Sequence, residues 1–87
     1  MTLTAAQTAQ LRRYLPIVAR GKNIWLILDL RSARALQRAG LVTSRINIYQ
    51  QIVGQDFGRD WICKQIRQPE YSLTPAGIAL VSSWLDA

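Results

Sequence analysis

The sequence predicts an α+β domain, and three observations carry the prediction. Near the N-terminus, Leu11, Tyr14, Leu15 and Val18 recur at helical spacing. Between Arg45 and Arg67 the pattern changes to a period of two, broken once by a turn bearing two glycines and an aspartate. An uncharged stretch, residues 75–85, then opens on Thr74-Pro75 and reads as a final helix. Eighty-seven residues, 49% of them apolar, suffice for a single domain spanning 1–87 with one core.

The first helix begins at Thr4-Ala5-Ala6-Gln7, a capping box in which hydroxyl and amide satisfy each other's backbone donors. Pro16 falls inside the helical pattern and removes one hydrogen bond, so a kink or a restart is expected near Tyr14. Gly21 closes the element, and Arg12, Arg13, Arg20 and Lys22 are scattered around it as solvated charges. Next comes the continuous apolar run Ile24-Trp25-Leu26-Ile27-Leu28. It suits a short buried strand, although periodicity alone leaves a short buried helix open.

Residues 30–39 form a second helix with a sharp division of sides. At about 100° per residue, Arg31, Arg34 and Arg38 fall within an arc of roughly 60°, nearly opposite Ala33, Leu36 and Ala39. Asp29 supplies the N-cap, and Gly40 the left-handed residue that ends the helix before Leu41-Val42 returns to the core. Asp29 is the only acid at hand to pair with these arginines, so the face is no salt-bridge lattice.

In the hairpin that follows, Ile46, Ile48, Gln50 and Ile52 share one face, with Arg45, Asn47, Tyr49, Gln51 and Val53 on the other. Residues 54–59 make the connection. On the return strand Trp61, Cys63, Gln65 and Arg67 alternate with Ile62, Lys64 and Ile66. Pro69-Glu70 is expected to interrupt or end the ladder, with Tyr71-Ser72-Leu73 resuming an extended path. The last helix has one stripe of Ile78, Val81 and Leu85 and a second of Leu80 and Trp84. Either both pack into this small core, or the helix forms a symmetric dimer contact through Ile78, Leu80, Val81 and Trp84.

Composition narrows the function. Eleven Lys or Arg against five acids give a net charge of +6, which favours a polyanionic partner, nucleic acid first. With no histidine and one cysteine, an internal disulfide is excluded and a zinc site has almost no ligands. There is no phosphate-binding glycine loop and no nucleophile beside an evident base, so neither an enzyme nor a cofactor is expected. The longest apolar run is too short to cross a bilayer, and no secretory pattern opens the chain, so a cytoplasmic protein is expected.

A helix, a basic helix ending in Leu36…Gly40-Leu41-Val42, a hairpin, and then Tyr71-x-Leu73-Thr74-Pro75-x-Gly77 opening a terminal helix together resemble the winged helix-turn-helix family. The likeness covers residues 29–85 and is nearest to small bacterial or phage regulators of the MarR or PadR type. It implies that helix 30–39 is the recognition helix and hairpin 43–68 the wing. It also implies binding to duplex DNA as a homodimer joined by terminal helices. The family places a further helix before its recognition helix, where this chain has only residues 22–29. The wing's Asp and Arg are matched loosely by Asp56 and Arg59.

Two functions from different classes follow. In the first, a regulator of transcription places Arg34, Gln37 and Arg38 at base edges, Arg31, Arg45 and Lys64 at phosphates, and Arg59 near the backbone or minor groove. In the second, a phage-type inhibitor or adaptor docks on an acidic host protein, with Trp25, Tyr49, Phe57 and Trp61 as anchors.

Overall fold

The computed structural model describes residues 2–56 and 60–86. Helices α1 (Ala5–Arg12), α2 (Leu15–Ala19) and α3 (Leu30–Arg38) come first. The strands β1 (Val42–Asp56) and β2 (Asp60–Leu73) follow, then helix α4 (Pro75–Leu85). The helices and the root of the β1–β2 ribbon form a small body. The rest of the ribbon projects from it, giving overall dimensions of 58 × 26 × 19 Å.

Local chemistry explains each boundary. At the start of α1, the Gln7 backbone N–H donates to the Thr4 hydroxyl and the Thr4 N–H to the Gln7 side chain, both at 3.1 Å, completing the box. The helix stops at Arg12 and restarts at Leu15, with Pro16 in the first turn of α2, where its missing N–H breaks no internal bond. Gly21, at φ +69°, ends α2 in a Schellman turn: its N–H reaches the Val18 carbonyl, and the Lys22 N–H that of Ile17. Arg13 is not simply solvated, since its guanidinium donates to the Ile27 carbonyl at 2.6 Å and ties the end of α1 to the segment before α3.

The run after Asn23 is neither a helix nor a full strand. Leu26 makes a single antiparallel bridge to Tyr71, with both N–H···O bonds at 2.8 Å. Three residues earlier, the Asn23 side-chain amide donates to the Leu73 carbonyl and accepts from the Leu73 N–H. An amide side chain thus stands in for backbone, and the segment serves as a minimal third strand along the root of β2.

Pro69 does not interrupt β2, contrary to the sequence expectation. It sits opposite Ile46 in a ladder that runs from Val42–Leu73 outwards and slips by one residue only between Ile52 and Gly54. The reason lies in Tyr71, whose N–H and C=O both turn away from β1 towards Leu26. Backbone direction alternates along a strand, so position 69 also faces outwards and proline there forfeits no bond to β1.

The core gathers Leu11, Tyr14, Leu28, Ala33, Leu36, Leu41, Val42, Tyr71, Leu73 and Val81. Burying each large aliphatic side chain contributes roughly 2 kcal/mol. Tyr14 is wholly enclosed, and its hydroxyl donates to the Tyr71 carbonyl at 2.6 Å. Burial pushes this phenol up to about 12 from its ordinary 10.0, partly offset by the neighbouring Arg13 charge. The α4 helix lies against α2, which seals Val81 completely and half-buries Ile78, Leu80 and Trp84. Of the two roles open to this helix, packing into its own core claims Val81, which has no surface left for a second copy.

The Gly40-Leu41 turn and the Thr74–Gly77 start of α4 are bonded to each other. The Thr74 hydroxyl accepts from the Gly77 N–H and donates to the Gly40 carbonyl, while the Thr74 N–H donates to the Leu41 carbonyl. A Cβ on Gly77 would run into that same Leu41 carbonyl. The two motifs that carried the family resemblance therefore form one joint, which sets α4 against the end of α3.

Candidate nucleic-acid interface

Both ends of α3 are fixed by its own sequence. The Asp29 carboxylate accepts from the Ser32 N–H at 3.1 Å. At the other end Gly40, at φ +78°, completes a second Schellman turn: its N–H bonds the Gln37 carbonyl and the Leu41 N–H that of Leu36. Ser32, Ala33 and Leu36 face the core. The opposite side carries Arg31, Arg34 and Arg38, all exposed. Among the described residues the only ion pair is Arg45–Glu70, so no carboxylate neutralises these three guanidinium groups.

The remaining expected contacts divide. Gln37 lies beside the arginine arc, and its side-chain amide donates to the Ser44 hydroxyl at 3.1 Å, which fixes α3 against the root of β1. Arg45, the next residue along, projects from the other ribbon face. Its guanidinium lies 4.4 Å above the Trp25 ring and bonds Glu70 at 3.1 Å. It is thus engaged within the fold through its Nε, while its side chain stays about half exposed. Lys64 pairs with Gln51 and shares the face of Arg45, nine residues from Val42 and about 30 Å out along β1. It does not converge with α3. Arg59 lies outside the described residues, as do Phe57 and Gly58.

Arg67 is not among the contacts expected from the sequence. It pairs with Ile48, is exposed, and stands on the ribbon face that Ser44 shares, the face to which Gln37 fastens α3. The signal was present in the alternation, but it needed the register to say which face was which. Of the anchors proposed for a protein partner, Trp25 lies beneath Arg45, whereas Tyr49 is exposed. Among the described residues there is no pocket and no cluster of three potential metal ligands. No helix is long and apolar enough to cross a membrane. No family model, curated protein or solved structure matches this chain.

Proposed function

We propose that this protein binds double-stranded DNA as a sequence-specific regulator of transcription, with α3 as the reading helix of a winged-helix arrangement and the β1–β2 ribbon as its wing. One observation carries the reading: Arg31, Arg34 and Arg38 stand together, exposed and without a carboxylate partner among the described residues, on a helix fixed at both ends. A planar guanidinium donates two parallel bonds to guanine O6 and N7 in the major groove, and an α-helix is the element that fits there. Arg34 and Arg38 meet base edges and Arg31 a phosphate. Gln37, steadied by Ser44, adds an amide able to pair with adenine.

The test begins with selection of bound fragments from random duplex DNA, followed by titration of the enriched site. Arg34→Ala or Arg38→Ala is expected to weaken binding to that site by about 1–3 kcal/mol and to relax its specificity. Because Arg45 and Lys64 lie on the other ribbon face, Arg45→Ala and Lys64→Ala are expected to leave sequence preference unchanged. Affinity should fall steeply with salt, as counterion release requires. Enrichment of no sequence, or an Arg34→Ala/Arg38→Ala chain that binds target and scrambled DNA as the parent does, would end the reading.

A further inference from the structure

The ribbon has two long edges, and they are not alike. Along β2 the outer edge is covered at its root by Leu26 and Asn23. Farther out it carries Pro69, which offers no N–H, together with Glu70, Arg67 and Lys64. Charges and proline of this kind keep a strand edge from pairing with another chain. The outer edge of β1 has none of them over residues 46–52. Those seven residues, Ile46-Asn47-Ile48-Tyr49-Gln50-Gln51-Ile52, are uncharged, free of proline and rich in strand formers. Ile46, Ile48 and Ile52 are 57%, 51% and 59% exposed, and Tyr49 is 44% exposed.

The backbone direction on this edge follows from Tyr71. Its groups point away from β1, and so do those of Pro69 and Arg67; the groups of Glu70 and Gln68 therefore point towards β1. Their partners Arg45 and Asn47 bond β2, which leaves Ile46, Ile48, Gln50 and Ile52 presenting their N–H and C=O groups to the open side.

We propose that a second copy of this chain pairs antiparallel with that open edge, about a two-fold axis at Tyr49. The register matches the segment to itself: Ile46 faces Ile52 of the other copy, Asn47 faces Gln51, Ile48 faces Gln50, and Tyr49 faces its counterpart. It also makes the outward-pointing residues the hydrogen-bonded pairs, with about eight inter-strand bonds against the ten or so of an ordinary interface. Charge selects this place for self-association. Each copy carries +6, and on β1 residues 46–52 let two copies meet with no cation in the paired segment, Arg45 falling just beyond it. The guarded β2 edge closes the assembly at two. The proposal is independent of DNA binding, and it places the dimer contact on the ribbon instead of α4.

Sedimentation equilibrium of the intact chain is expected to give twice the monomer mass. Ile48→Pro removes one outward N–H without touching the β1–β2 ladder, as Pro69 does on the other strand, and should return the chain to monomer with an unchanged helical circular-dichroism spectrum. Ile48→Lys should do the same by charge. In a Cys63→Ser background, oxidised Tyr49→Cys should give a disulfide-linked dimer, because directly opposed non-hydrogen-bonded positions lie within disulfide reach. Asn47→Cys or Gln51→Cys alone should not cross-link, whereas a mixture of the two should. A monomeric parent, a doubled mass that survives Ile48→Pro, or cross-linking at 47 or 51 alone would overturn the proposal.

Discussion

Tyr14 sits at the centre of the core with its hydroxyl on the Tyr71 carbonyl, and burial holds it neutral to about 12. Because its folded value lies above its unfolded one, the stability tied to the neutral phenol is complete below pH 10 and is lost as pH rises from 10 towards 12. The loss across that window is of the order of 2–3 kcal/mol. Tyr14→Phe is expected to cost about 1 kcal/mol at neutral pH, since the Tyr71 carbonyl keeps its bond from the Leu26 N–H. The variant should also flatten the alkaline decline, and urea midpoints at pH 8 and pH 11 would show both effects. Two glycines make a second comparison at this scale. Gly40 holds a left-handed turn with open space around it, so Gly40→Ala should cost about 1 kcal/mol. Gly77→Ala must push a methyl against the Leu41 carbonyl and separate α4 from the turn after α3. We expect a loss of about 3 kcal/mol or more, read as a lower urea midpoint.

The elements that could be read from the sequence were those whose ends are written in side chains. The Thr4–Gln7 box, the Pro16 restart, the Asp29 cap, Gly40 and the Thr74-Pro75 start all appear where local chemistry places them. The segment from Asn23 to Leu28 was harder, because one bridge and one side-chain amide do the work of a strand and neither leaves a periodic trace. The place of Pro69 within the ladder has a related reason. Proline opposes a ladder only when its nitrogen faces the partner strand, and that direction is set by Leu26, distant in sequence. In the candidate site, the arginine arc of α3 was legible because a helix fixes its own angles. The internal engagement of Arg45 was not, since Trp25 and Glu70 reach it from separate parts of the chain. Pro69→Thr therefore has an expected outcome of its own. Its effect on stability should stay within about 0.5 kcal/mol, since no bond to β1 changes, while the restored N–H leaves the β2 edge less protected. Unfolding midpoints together with light scattering over time would register both.

At the scale of the whole molecule, a small helical body carries a ribbon that extends its longest dimension to 58 Å. Among the described residues only the root of that ribbon shares in the core, because Val42, Tyr71 and Leu73 are buried whereas residues 43–52 of β1 are exposed throughout. A two-stranded ribbon alone in water is marginal, so the outer part depends on the anchored root or on a partner. The radius of gyration is 17.0 Å, against about 12 Å for a rounded domain of this length. Friction rises with such elongation. A lone chain will therefore leave a gel-filtration column early, at the position of a heavier sphere, and an elution volume calibrated on globular standards would credit it with a companion it does not have.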